Sequence, residues 1–369
     1  MFNLQCIKCD TIFPFAIDLA TCPYHDQKYG YLEVIYNTCN GATRLPFKNT
    51  NMVFQIAKTP LIKSNGFASR MGVKNLYIKD ESKNPTGSFK DRENSIFFSY
   101  LLENNITEDV FLISSGNAAI STAAYARQAG LACTAFIPSS TSQQKKELIT
   151  GYGAQIVEKE HSYEEIYNEV CTNPPTGINA TPGLCPLKEE GNKLIAYEIV
   201  EQLGVPDKII VPCGNGTNLW GIYKGFRELY QCQKIKKIPQ MIGVQVYGGD
   251  PLTQAYLLGE EFISLLDAPD SQAEGIIATE SYSSPKALKA IRESNGAMIS
   301  VTEEEIQEAH QQIQQMEHLT PEFTSSSVYA ALKKIQIKQD EIIVCINTGG
   351  AVKEMITLNQ LSFSLLATQ

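Results

Sequence analysis

The chain has 369 residues, 43% of them apolar and 19% charged, with a formal net charge of −9. That length asks for about two domains with a small appendage, and the composition is that of an ordinary globular protein. The acidic balance argues against a nucleic-acid binder, which needs a Lys/Arg surplus, and no run approaches the ~18 apolar residues of a membrane span. Residues 1–9 lack a charged stretch followed by an apolar one, so no secretory signal is expected. The ten cysteines are spread along the chain, which fits reduced thiols and a cytoplasmic protein.

In chain order, residues 1–40 differ from the rest. They hold Cys6, Cys9, Cys22, His25 and Cys39 among many aromatics, with little helical periodicity, and are read as a separate module. From about residue 70 strands and helices alternate. Leu76-Tyr77-Ile78 reads as a strand, 91–104 as a helix, 110–114 as a strand and 118–128 as a helix that Gly130 ends in the left-handed conformation. A strand over 133–137 leads to a helix opened by the capping box Thr141/Gln144, then a strand over 155–157 and a helix opened by Ser162/Glu165. Helices follow over 192–202 and 218–230, with strands over 208–212 and 241–246. Thr302/Glu305 caps a helix to about 316, and 342–346 is a last buried strand. Such alternation implies βαβ units, a mostly parallel sheet and the α/β class, with ligands at the carboxyl ends of strands.

Three strand-to-helix turns carry chemistry. Asn84-Pro85-Thr86-Gly87-Ser88 is dense in turn formers and sets Phe89 and Lys90 at a helix start. There the positive end of the dipole favours a nucleophilic neutral amine, although a lone lysine at a helix start is usually plain surface. Ser114-Ser115-Gly116-Asn117 follows an apolar strand, so its backbone amides suit a carboxylate, and Asn117 can offer an amide to a phenolate oxygen. By itself the segment is also a simple helix cap. Gly214-Asn215-Gly216-Thr217-Asn218 makes a cradle for a compact monophosphate, or an ordinary glycine-rich connection. Its spacing matches neither a dinucleotide fingerprint nor a Walker loop. Together the three supply an amine, a carboxylate site, a partner for a ring oxygen and a phosphate cradle, the set that an aldehyde cofactor bearing a phosphate requires. A fourth turn, Asn347-Thr348-Gly349-Gly350, offers the Thr348 hydroxyl to the pyridine nitrogen of such a cofactor. A neutral partner there makes the ring a weaker electron sink and favours chemistry at the side chain.

The run Lys79-Asp80-Glu81-Ser82-Lys83-Asn84-Pro85-Thr86-Gly87-Ser88-Phe89-Lys90-Asp91-Arg92 resembles the cofactor-lysine segment of the threonine synthase family, among fold type II pyridoxal-phosphate enzymes. Ser114-Ser115-Gly116-Asn117, the 214–218 loop and Thr348-Gly349-Gly350 resemble its later motifs in the same order. Looser likenesses are Ser294-Asn295-Gly296 before Val301-Thr302, and Pro321-Glu322 leading into Ser325-Ser326-Ser327.

The resemblance implies a two-lobed α/β enzyme with parallel-sheet cores. Residues 41–95 and 191–369 would form a large cofactor domain, and 96–190 a small mobile one. Lys90 would hold pyridoxal 5'-phosphate as a Schiff base and move protons, with Asn117 at the ring oxygen, Gly214, Asn215, Gly216, Thr217 and Asn218 at the phosphate, and Thr348 at the ring nitrogen. Ser114, Ser115, Gly116 and Lys188 would face the substrate.

The head also resembles the family's zinc ribbon. Cys6-x2-Cys9 and Cys22-x2-His25 would make a Cys3His zinc knuckle, or the same residues pack without a metal. His25 stands where the family often has a cysteine.

Two departures bear on substrate. Ala118 replaces a usual hydroxyl residue, and Lys188 stands where an arginine is expected to grip the substrate's phosphate, without its bidentate fork. The expected reaction is O-phospho-L-homoserine and water to L-threonine and phosphate. The alternative is β-replacement or β-elimination on serine, threonine or an activated serine. A non-catalytic assembly partner on the same fold would have no need of the lysine. The expected partners are a small amino acid substrate and a second copy in a homodimer, not nucleic acid or a membrane.

Overall fold

Strand β1 (Phe2–Cys6) pairs antiparallel with β2 (Ile12–Pro14) and β3 (Leu32–Tyr36) in the computed structural model, which describes residues 2–36, 44–46, 54 and 56–351. Leu4 lies opposite Val34 and Cys6 opposite Leu32, so all four side chains share one face. With Cys22, Tyr29 and Tyr31 they make a small core of their own. Cys39 lies outside the described residues.

The chain continues through β4 (Leu61–Lys63), α1 (Gly66–Met71), β5 (Asn75–Asp80) and α2 (Lys90–Glu103). It then builds β6 (Val110–Ile113), α3 (Asn117–Ala129), β7 (Cys133–Pro138), α4 (Gln143–Gly151), β8 (Gln155–Lys159), α5 (Tyr163–Thr172) and β9 (Ile178–Asn179). These four strands form a parallel sheet in the order β8-β7-β6-β9.

Helix α6 (Pro186–Leu203) leads back to β10 (Lys208–Pro212), α7 (Thr217–Gln231), β11 (Gln240–Val246), α8 (Pro251–Leu258), α9 (Ser284–Glu293), β12 (Ala297–Val301), α10 (Glu303–Glu317), α11 (Phe323–Ala331) and β13 (Ile342–Asn347). The larger sheet runs β12-β11-β10-β13-β5-β4, parallel except for the edge strand β4. Its central strands are buried on both faces and accordingly read as continuous apolar runs. Helices α2 and α6 cross positions 95 and 190 and pack against each other.

The α/β alternation expected from the sequence is present, and the Ser162 and Thr302 capping boxes form with Glu165 and Glu305. Gly130 ends α3 with φ 73°. Helix α4 departs by one residue: Ser142, not Thr141, caps it and accepts from the Lys145 amide. Helix α6 begins six residues before 192, with Pro186 in its first turn. Its early charged residues are all buried, which erases the amphipathic stripe that marks a helix in sequence. Among the described residues no helix is long and apolar enough to cross a membrane.

Candidate active site

The turn between β5 and α2 is held from several sides. The Thr86 amide and hydroxyl both donate to Asp91 at 2.6 Å, and the Gly87 amide donates to the Asn84 carbonyl at 2.8 Å. Phe89 donates its amide to the Thr348 carbonyl at 2.9 Å, and Ser88 bridges to Gly349. The end of β13 therefore fixes where α2 starts. One turn on, the fully buried Arg92 binds Glu81, Glu198 and Thr59. Burial works against the charge of Glu81, but the Arg92 guanidinium outweighs it and holds the carboxyl below its usual range. Gly191 of α6 lies against the Arg92 carbonyl, in space that a Cβ would fill.

Lys90 opens α2 as expected, with its Nζ 4.4 Å from the centre of the Phe89 ring. The sequence reading missed its strongest partner. Glu93, 1% exposed, accepts from Lys90 Nζ at 2.9 and 3.1 Å and from Asn192 Nδ2 at 3.1 Å. The i,i+3 spacing was the available signal. The carboxylate sets a fixed negative charge against the amine, beside the positive end of the helix.

Helix α3 follows Gly116, which supplies no capping side chain, so the positive end of the helix faces the 114–117 turn and suits an anion. The Gly116 amide donates to Ser114 Oγ at 3.2 Å. Ser115 lines a cleft of about 690 Å³ between α4 and the 270–274 segment, where Lys145 and Glu274 pair across the mouth. Asn117 donates Nδ2 to both carboxylate oxygens of Glu322. Glu322 in turn lies where a Cβ on Gly349 would stand. Thr348 Oγ1 meets Ser325 Oγ at 2.9 Å, and the Gly349 amide donates to the same hydroxyl at 3.1 Å. The Pro321-Glu322 and Ser325-Ser326-Ser327 segments, weak likenesses in the sequence, thus bring Glu322 and Ser325 into the site.

At the end of β10, Gly216 has φ 94° and opens α7 without a side-chain cap. Gly214 lies against the Gly275 carbonyl, and the Gly275 amide donates to Thr324 Oγ1 at 3.2 Å, which joins this loop to the Ser325 corner. Both side-chain polar atoms of Asn218, a residue 5% exposed, are buried without a partner. Asn215 accepts from the backbone of Ser283 and Tyr282, and Thr217 is buried beside it. An uncapped helix start and an unsatisfied amide side chain are what a phosphate monoester would complete.

Lys188, 1% exposed in the first turn of α6, donates to Thr122 Oγ1 at 3.1 Å and lies over the Phe97 ring. Burial pushes it down to about 8, with Glu93 pulling upward and Lys90 downward. It therefore shares the electrostatic surroundings of Lys90.

In the head, one ligand atom each from Cys6, Cys9, Cys22 and His25 lies within 4.8 Å of the others. Cys9 Sγ is 4.0 Å from Cys22 Sγ, and His25 Nε2 is buried without a partner. Hydrogen bonding to Thr11 pulls the Cys9 thiol down to about 6, whereas burial pushes Cys22 up to about 12.

Residues 53–349 match the family described as pyridoxal-phosphate dependent enzyme. The fold agrees: the chain is similar to maize serine racemase, with a TM-score of 0.69 at 21% identity over 83% of this chain and 91% of that one. The chain thus belongs to the pyridoxal-phosphate enzymes of fold type II. Two relatives narrow the family. The threonine synthase of Methanosarcina acetivorans is 32% identical, covering 97% of this chain and 94% of the relative. That of Methanocaldococcus jannaschii is also 32% identical, covering 95% and 92%. This chain belongs to the threonine synthase family and is a pyridoxal-phosphate-dependent lyase.

Proposed function

We propose that the chain converts O-phospho-L-homoserine and water to L-threonine and phosphate, with Lys90 as its catalytic residue. What carries the reading is the convergence of the Lys90, Asn117 and Thr348 turns through Phe89, Gly349 and Glu322, in a chain that resembles threonine synthases over nearly its whole length. Pyridoxal phosphate, when bound, draws electrons from the substrate's α-carbon, so that its side chain can be eliminated and replaced.

The residues divide the rest of the work. Lys90 Nζ would hold the cofactor's aldehyde carbon, Asn117 Nδ2 its ring oxygen and Thr348 Oγ1 its ring nitrogen. Gly214, Asn215, Gly216, Thr217 and Asn218 would hold its phosphate. The 114–117 turn at the uncapped start of α3 suits the substrate carboxylate, and the Lys188 ammonium suits the phosphate on its side chain. Phosphate would leave the γ-carbon and the hydroxyl of water would join the β-carbon, while Lys90 Nζ carries protons between carbons. The Thr348–Ser325 hydroxyl pair is neutral and supports side-chain chemistry over reaction at the α-carbon alone.

Glu93 favours a second reading, replacement or elimination at the β-carbon of serine, threonine or an activated serine. Its carboxylate offsets the positive charge of Lys90 and Lys188 that a phosphate would use. Incubating the protein with O-phosphohomoserine and measuring threonine and free phosphate decides between them: release of both is expected, and no phosphate release sinks the first reading.

We propose further that Cys6, Cys9, Cys22 and His25 bind zinc in a ribbon-like head. Tetrahedral thiolate coordination at ~2.3 Å puts neighbouring ligand atoms roughly 3.8 Å apart, close to the spacing here. Residues 1–40 would form this head, 41–95 with 191–369 the cofactor domain, and 96–190 a lobe that moves over the cleft and is held by Lys145–Glu274. The free thiols support a cytoplasmic setting, and the exposed side chains of Leu257, Leu258 and Leu266 support burial of that surface in a homodimer.

A further inference from the structure

We infer that Glu93 is a positioning residue for Lys90: a fixed partner that docks the amine whenever it is not bonded to the cofactor, and so sets how fast the cofactor can be loaded. The inference rests on Lys90 being the cofactor lysine.

Three observations carry it. The ion pair is not an ordinary one on a helix surface, because Glu93 is 1% exposed and the Lys90 side chain 13%. Exposed i,i+3 pairs compete with water, whereas here one partner is buried away from it. Asn192 of α6 donates to Glu93 Oε1 at 3.1 Å and pins the carboxylate from the side away from its own helix. Lys188 supplies a second cation in the same surroundings, held by Thr122 on α3. When the Lys90 nitrogen is engaged elsewhere, Glu93 therefore keeps an amide donor and a nearby positive charge. The carboxylate is thus partnered in both states, and one buried site serves as a permanent dock.

The consequence is chemical. Loading requires the Lys90 ammonium to give up a proton to solvent; its nitrogen then forms a double bond to an aldehyde carbon, and the aldehyde oxygen leaves as water. A carboxylate within hydrogen-bond distance of the nitrogen must release it before the bond to carbon can form. The same carboxylate takes the amine back when an incoming amino acid displaces it, and so keeps it within reach of the substrate's carbons rather than free to swing.

The test uses the full chain stripped of cofactor and reloaded with pyridoxal phosphate at one fixed pH, following absorbance near ~410 nm against time. Glu93→Gln should speed loading about tenfold, since no charge-assisted bond then holds the nitrogen, while kcat falls about tenfold with little change in KM. Asn192→Ala, which removes the competing donor and leaves Glu93 more committed to Lys90, should slow loading. Loading time courses of both variants that superimpose on the parent would overturn the inference. If Glu93→Gln does not fold, the Asn192→Ala time course decides alone. Undiminished absorbance in Lys90→Ala would instead sink the assignment of Lys90, a separate failure.

Discussion

Asn117 Nδ2 lies 3.1 and 3.0 Å from the two carboxylate oxygens of Glu322, so one amide side chain is held by both ends of one carboxylate. Asn117 opens α3, beside the smaller parallel sheet, and Glu322 caps α11, which packs on the larger one. The contact joins the two sheets at the carboxyl ends of their strands, where Gly349 and Thr348 leave β13. Its effect is to orient the amide. A carboxylate accepts only, so it fixes the Asn117 nitrogen toward itself and the site.

Glu322→Gln keeps the shape and removes the charge. A charge-assisted hydrogen bond becomes an ordinary one, a loss of about 1.5 kcal/mol. Affinity for pyridoxal phosphate should therefore fall about tenfold, read by equilibrium titration of the stripped protein. The melting temperature should change little, since Glu322 borders the site and not a core.

Gly191→Ala tests the packing of α6 on α2. The added methyl would overlap the carbonyl of Arg92, which is held by Glu81 and Glu198 and cannot give way. We expect a loss of about 3 kcal/mol in stability, seen in chemical denaturation as a lower midpoint with an unchanged slope. A midpoint equal to the parent's would mean that α2 and α6 are more loosely joined than the contact implies.

What the sequence made legible is what local chemistry dictates. Turn formers before Lys90, small residues after β6 and β10, and capping boxes at Ser162 and Thr302 each act within a few residues, and each stands where expected. The partners of those residues are another matter. Glu322 is 205 positions from Asn117, and nothing near either one announces the other. The first turns of α6 were unreadable for a related reason: Glu189 and Glu190 pair with Lys286 and Lys224, and those lysines also donate to the carbonyls of Leu32 and Val34 in β3. Charged residues satisfied by a distant strand look like a solvated loop when only their neighbours are visible.

Those same contacts tie the head to the site, because α6 carries Glu189 and Glu190 toward β3 and Lys188 and Asn192 toward Glu93 and α3. If zinc holds the head, Cys22→Ser should lower metal content from one per chain to none, measured by elemental analysis of the purified protein. Melting should fall by several degrees, while the cofactor absorbance persists because Lys90 and the 214–218 loop are built by other strands. Full stability with no metal in the parent would leave the four residues as packing alone.

Lys188 gives the reaction a pH dependence of stated sign. Burial is the main reason it is brought down to about 8, against the pull of Glu93. Below that pH the side chain is an ammonium and can attract a phosphate; above it the amine is neutral and the attraction is lost. KM for O-phosphohomoserine should therefore rise as pH passes upward through about 8, with kcat changing less across the same window. Lys188→Met fills similar volume without charge. Its KM should be roughly tenfold to a hundredfold higher at pH 7 and should lack that alkaline rise, while a serine derivative without phosphate should bind parent and variant alike. Steady-state kinetics with both substrates from pH 6.5 to about 9 make the comparison, and a Lys188→Met enzyme with the parent's KM for O-phosphohomoserine would remove Lys188 from the substrate site.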